Sequence, residues 1–246
     1  KWKAKHAAKV GTVQSTTTSA SATGTSGAST AATPQRGAAV VADPTLMVIT
    51  VLLGKPAVEP GAGDPVQVAF YDLAFGEWTV VDAPWPTSGP RHAVGRCVNP
   101  TEGQLLYYGG KRGTALLDGL FAKALDPGQI FDDPVHLDAS SGSSPGARSG
   151  AALVYHAATR SVYLFGGKGE QGLISDLWRF RLDSGTWTQL SDGSASEAPP
   201  PMVAAGMLVS ALDGSLIVVA GTSSAEDERV WRFDGMLWHR LTRWTD

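Results

Sequence analysis

The fold is decided by residues 151–190. They read Ala151-Ala152-Leu153-Val154, then Val162-Tyr163-Leu164-Phe165-Gly166-Gly167, then Asp176-Leu177-Trp178-Arg179-Phe180-Arg181-Leu182, then Thr186-Trp187-Thr188-Gln189-Leu190. Four short apolar segments are separated by polar or glycine-bearing breaks. The third alternates large apolar residues with arginines, the period-2 pattern of a strand with one wetter face; a helix would scatter Trp178 and Phe180 to different sides. Gly166-Gly167 closes the second segment where the chain must turn sharply, since glycine alone takes positive φ or close backbone packing at little cost. Asp183-Ser184-Gly185 makes a tight turn into the Trp187 strand. The stretch predicts one four-stranded antiparallel sheet.

The same units recur on both sides. One copy has Leu105-Leu106-Tyr107-Tyr108-Gly109-Gly110, Leu120-Phe121 and Phe131; another has Leu216-Ile217-Val218-Val219-Ala220-Gly221, Val230-Trp231-Arg232-Phe233-Asp234 and Trp238. A more worn copy opens with Gly37-Ala38-Ala39-Val40-Val41 and has an apolar run over 46–53 closed by Gly54, a second over 66–73, and Trp78-Thr79-Val80-Val81. The second glycine falls at 110, 167 and 221, and the closing aromatic at 78, 131, 187 and 238. Two independent markers keep one period, the signature of a repeat architecture.

These residues resemble the kelch repeat family: a diglycine at the end of one strand, an aromatic in the next and a Trp in the last. The resemblance covers residues 36–246, with repeats over 36–82, 90–138, 145–191 and 200–246, and is strongest over 145–190. Departures are visible. Lys123 stands where Phe180 and Phe233 stand, Phe131 replaces the closing Trp, and Ala220-Gly221 replaces two glycines. The resemblance implies an all-β chain, a kelch-type β-propeller or partial propeller of about four four-stranded antiparallel blades. Each blade would present an apolar face to its neighbour, so the outward faces of the first and last repeats are expected to meet protein outside the chain.

Composition agrees with this reading. A chain of 246 residues with 43% apolar residues can bury a core, and 29 Gly and 15 Pro against 17% charged residues suit short strands and tight turns. The single Cys97 excludes an internal disulfide framework and a cysteine-rich zinc site, and fits an intracellular compartment, cytoplasmic or organellar. No run approaches the ~18 apolar residues that span a bilayer, so no membrane span is expected.

Charge is divided unevenly. Residues 1–42 hold Lys1, Lys3, Lys5, Lys9 and Arg36 and no acid, a charge of +5; the other 15 bases and all 23 acids leave residues 43–246 at −8, for the chain's −3. Eleven of the sixteen residues 15–30 are Ser or Thr, a composition that cannot bury enough apolar surface to offset ordering, so residues 1–35 are expected to form a flexible basic arm. Such an arm is a solvated tail or the remnant of a transit peptide, or it docks Trp2 and the lysines around it onto RNA or an acidic surface.

Residues suited to chemistry do not converge. The tyrosines at 107, 108 and 163 lie inside apolar strands, and the histidines at 6, 92, 136, 156 and 239 form no HxH or HxxxH pair. Gly166-Gly167-Lys168-Gly169 lacks the rest of a phosphate loop. No catalytic residue, metal or cofactor is expected. The favoured function is a non-enzymatic protein-interaction scaffold, a structural subunit that binds other protein subunits through inter-strand loops at 111–119, 139–148, 168–175 and 222–228. An RNA-associated component of ribosomal type and a metal- or glycan-directed propeller enzyme are the alternatives. The candidate partner-binding residues are Lys1, Trp2, Lys3, Lys5 and Lys9 on the arm, and Lys111, Arg112, Lys168 and Glu170 on the loops.

Overall fold

Short apolar runs broken by Gly, Pro and Asp fold back on themselves, and each run pairs with the next as an antiparallel strand. The computed structural model describes the backbone of four strands between residues 39 and 83, and residues 91–125, 129, 132–138, 142–219 and 230–241. The chain divides into two compact units, residues 1–90 with 124–133, and residues 91–123 with 134–246.

The described strands of the first unit are β1 (Ala39–Asp43), β2 (Val48–Leu53), β3 (Val66–Asp72) and β4 (Glu77–Ala83), paired in sequence order as one antiparallel sheet. Tyr71 stands opposite Trp78 in its register, so the worn copy keeps its closing Trp on a fourth strand.

Three further four-stranded sheets are described, built from residues of the second unit apart from Ala124. The first has β5 (Gly95–Asn99), β6 (Gln104–Tyr108), β9 (Leu120–Ala124) and β10 (Val135–His136), with a small hairpin of β7 (Lys111–Arg112) and β8 (Ala115–Leu116) between β6 and β9. The second has β11 (Ala152–His156), β12 (Ser161–Gly169), β13 (Gly172–Arg181) and β14 (Thr186–Ser191), with a 3-10 turn at Ala157–Thr159. The third has β15 (Gly206–Val209), β16 (Leu216–Val219), β17 (Val230–Phe233) and β18 (Trp238–Leu241). The described residues thus form four four-stranded antiparallel sheets, the blade pattern that the repeat implied. Among the described residues no helix is long and apolar enough to cross a membrane.

Two expectations are corrected. The stretches 111–119 and 168–175, read as loops, carry strands. Gly166-Gly167 does not end its strand: the pairing of β12 with β13 slips between Phe165 and Gly167 and then resumes as Gly167↔Ile174, Lys168↔Leu173 and Gly169↔Gly172. Both glycines have positive φ, 64° and 102°, so they build a bulge that re-aims the strand and lets its ladder continue. The segment 222–228, Gly221, Phe131 and the arm over 1–35 lie outside the described residues. The strand that closes the 95–136 sheet is Val135–His136, paired to Ala122 and Phe121.

Alternation packs the second unit. Leu106, Tyr108, Leu120 and Ala122 of one sheet meet Leu153, Val162, Leu164, Phe180 and Trp187 of the next in one buried cluster. The other face of that sheet, with Ala152, Tyr163, Phe165 and Leu177, meets Leu216, Val218, Trp231, Phe233 and Trp238 in a second. The closing Trp ties consecutive sheets together. Trp187 Nε1 donates to Asp138 Oδ2 at 2.7 Å, while Asp138 Oδ1 accepts Leu120 N–H at 2.8 Å; Trp238 Nε1 donates to Ser191 Oγ at 3.2 Å. Each indole satisfies its one donor on the preceding sheet, as a buried Trp must.

The turns are held by carboxylates. Asp234 accepts N–H of Leu237 and Met236, both at 2.9 Å, and meets His239 at 2.7 Å; Asp213 accepts Ser215 Oγ at 2.7 Å and Arg232 at 2.6 Å. These bonds, first that from Leu237 N–H for Asp234 and that from Ser215 Oγ for Asp213, hold both carboxyls well below the usual range. A depressed folded-state pKa stabilises above the unfolded value near 3.9 and is lost as pH falls through the folded value. Carbon-detected NMR titration should place both carboxyl midpoints below about 3.9, and a midpoint at or above it would contradict these bonds.

Candidate functional site

Loop positions on a rigid sheet frame are where binding residues concentrate, and the frame here places two hairpins at corresponding ends of adjacent sheets. The inner strands β5, β11 and β15 pack side by side. Just before them, Gly150 N–H donates to Ala93 O at 2.7 Å and Ala204 N–H to Gly150 O at 2.9 Å. All three residues are left-handed, with φ of 53°, 67° and 55° for Ala93, Gly150 and Ala204. One conformation is thus repeated in register, and each copy bonds to the one before it.

The diglycines dock against this seam. Gly110 N–H donates to Arg148 O and Gly167 N–H to Met202 O, each at 2.9 Å. A Cβ on Gly109 would stand 2.3 Å from Arg148 O, and one on Gly166 would stand 2.9 Å from Met202 O. Backbone meets backbone here, which is why the repeat needs glycine.

Immediately after each diglycine comes a lysine. Lys111 exchanges both backbone bonds with His92, at 2.8 and 3.1 Å, and Lys168 does the same with Ser149, at 2.8 and 3.0 Å. Lys111 and Lys168 therefore occupy the same place in successive repeats. Beyond them the chain makes the β7–β8 hairpin, with Arg112 exposed, and the far end of the β12–β13 hairpin, with Lys168, Glu170 and Leu173 exposed. The structure brings the expected Lys111, Arg112, Lys168 and Glu170 to equivalent hairpins. Lys1, Trp2, Lys3, Lys5 and Lys9 lie outside the described residues.

Two arginines beneath the hairpins escaped the sequence reading. Arg148, 2% exposed, donates to Gly166 O at 3.0 Å and to Pro145 O, and forms a two-pronged pair with Asp176 at 2.5 and 2.9 Å. Such fork-to-fork geometry fixes both partners. Asp176 also accepts Trp178 Nε1 at 2.6 Å. Arg91, one repeat earlier, donates to Gly109 O at 3.3 Å and Asp118 O at 3.0 Å and lies 4.3 Å over the Phe121 ring, and burial lowers its pKa. Phe121 stacks in turn on His136, with centroids 4.4 Å apart. The signal that could have found both arginines is spacing: Arg91 and Arg148 are separated by the same 57 residues as Gly110 and Gly167.

The hairpin surface presents charged side chains on a bonded backbone frame. Among the described residues, no three His, Cys, Asp or Glu side chains gather as a metal-holding group. Burial pushes the Cys97 thiol and the Tyr108 hydroxyl upward, away from nucleophilic use near neutral pH, and Tyr108 donates to Gly146 O at 3.1 Å.

Against known proteins, a family model described as KLHDC2/KLHL20/DRC7 Kelch-repeats domain matches residues 38–245. No curated protein matches the chain.

Proposed function

The chain belongs to the kelch-repeat family, and from that premise we propose that it is a non-enzymatic protein-interaction scaffold whose β7–β8 and β12–β13 hairpins form the working surface. The reading is supported by one observation above all. The two hairpins leave their sheets at the same repeat position, each anchored by a diglycine and a Lys111↔His92 or Lys168↔Ser149 bridge, and hold Arg112, Lys168 and Glu170 exposed. Anchored backbone with free side chains lowers the ordering cost of binding. The partner is a protein surface that meets Lys111, Arg112 and Lys168 with carboxylates at its rim and contacts Leu173.

The test replaces Lys111, Arg112, Lys168 and Glu170 with Ala together and compares affinity purifications of the two chains. Loss of the co-purifying proteins is expected. The unfolding midpoint should move by no more than about 4–8 °C, because surface changes away from caps and networks shift stability by about 0.5 kcal/mol or less each, about 2 kcal/mol if all four add. An unchanged partner set would sink the proposal.

A further inference from the structure

A polar turn at the rim of a sheet costs little, whereas an apolar one leaves large side chains in water unless something covers them. The β17–β18 turn is apolar. Met236 and Leu237 are 84% and 64% exposed, and the fold does not ask for them: counted from the closing Trp, the β13–β14 turn has Gly185 and Thr186 in the same two places. The pair is held out on a bonded frame. Asp234 Oδ1 accepts both of their N–H groups at 2.9 Å, and Asp234 N–H donates to Leu237 O at 3.2 Å.

Beside this turn lies an open cleft of about 400 Å³, with Leu190 and Asp192 on one wall and Met236 and Leu237 on the other. Trp238 ties the walls together. Its Nε1 donates to Ser191 Oγ at 3.2 Å, and Gly193 N–H donates to the same oxygen at 3.2 Å. Every lining residue belongs to the second unit. The row of Val219, Val230 and Leu241, where the sheet joins residues 220–229 and 242–246, is at the end of the sheet opposite the turn.

Asp192 gives the cleft its sign. Asp176, Asp183, Asp213 and Asp234 each face an Arg or a His. Among the described residues no such group faces Asp192, whose Oδ1 accepts Ser194 Oγ at 2.6 Å and Ser194 N–H at 2.9 Å. These bonds, first that from Ser194 Oγ, lower its pKa, so the carboxylate stays charged at neutral pH.

A carboxylate set beside Leu and Met side chains matches a group that is apolar along its stem and cationic at its head. We infer that the cleft takes an arginine or lysine side chain from a basic segment of a partner protein, its stem against Leu190, Met236 and Leu237 and its head on Asp192. The volume lies at the small end of ligand clefts, roughly 300–1,000 Å³, and suits a single side chain with its neighbours. The charge of −8 over residues 43–246 favours the approach of such a segment. The bonded turn lowers the ordering cost of receiving it.

The full chain, isotope-labelled on its methionine methyls, is titrated by NMR with a capped Ala-Leu-Arg-Leu-Ala peptide to about 5 mM, the range of weak single-site binding. The Met236 signal should move saturably, that of Met202, 1% exposed, should stay still, and the same peptide with Glu in place of Arg should move neither. Asp192→Asn keeps an oxygen for Ser194 and removes only the charge. It should weaken the affinity by about two- to fivefold, the worth of an exposed ion pair. Met236→Gly with Leu237→Thr gives the turn the residues of its counterpart, and should abolish the broadening of the peptide's own leucine methyl signals that the wild type causes. A Met236 signal that never moves, an equal response to the Glu peptide, or an affinity indifferent to Asp192→Asn would each overturn the inference; the first would mean that the cleft is covered within the chain, and the second that the contact is apolar alone.

Discussion

Asp176→Ala is expected to destabilise the second unit by about 3–5 kcal/mol, the usual result of leaving one member of a buried ion pair alone. The guanidinium of Arg148 is 2% exposed and takes both oxygens of Asp176, so losing the carboxylate leaves a buried cation without its counter-charge. The carboxylate also holds Trp178 Nε1. The pair is not intrinsically needed for burial, however. One repeat later Met202 occupies the place of Arg148, 1% exposed, and its carbonyl accepts Gly167 N–H as that of Arg148 accepts Gly110 N–H. Arg148→Met combined with Asp176→Leu should therefore recover most of the loss, because a buried pair replaced by packed apolar groups is often neutral or better. Urea unfolding of the three proteins checks both halves. A single Asp176→Ala variant within about 1 kcal/mol of wild type would show that the pair is solvated and the burial argument wrong.

What could be read from the sequence was whatever the backbone dictates locally. Trp178 and Phe180 two apart announce a strand, and Gly166-Gly167 announces a place where only glycine fits. Both hold because the constraint lies within a few residues. The function of the diglycine was less legible: its Cβ-excluding neighbours are Met202 O and Ser149 O, far along the chain, so a bulge inside a strand reads from sequence as a strand end. Arg148 fails for the same reason. It sits in Ser143-Ser144-Pro145-Gly146-Ala147-Arg148-Ser149, polar and unpatterned, and becomes buried only when the Asp176 strand and the Gly166 carbonyl close over it. Val135–His136 is a two-residue strand after Pro134, with no alternation to announce it, whereas the bulky Phe131 nearby fits the repeat's period. Of the candidate surface, Lys111 and Lys168 stood out as charges beside glycines. Their bridges to His92 and Ser149 depend on register between segments that local pattern does not encode.

Gly109→Ala and Gly103→Ala separate the two reasons for glycine in this fold. Both residues are left-handed, with φ of 64° and 60°, so each substitution places a Cβ in a conformation that costs an L-residue about 1–2 kcal/mol. Arg160, at φ 46° in the β11–β12 turn, shows that the chain tolerates that cost where there is room. Gly103 has room: nothing lies within 4 Å of an added Cβ. Gly109 does not, because the Cβ would stand 2.3 Å from Arg148 O and 3.1 Å from Leu117 O. Both are backbone carbonyls, and neither can rotate aside as a side chain would. Arg148 O is also the acceptor for Gly110 N–H, so moving it breaks a bond between sheets. Overpacking of this kind adds about 1–3 kcal/mol or more to the conformational term. Gly109→Ala should therefore lose about 2–5 kcal/mol and Gly103→Ala no more than about 2, read as the difference in urea midpoints at constant slope. Equal losses at the two positions would mean that left-handed strain alone explains the diglycine, and that the close approach of neighbouring sheets is not what the repeat selects for.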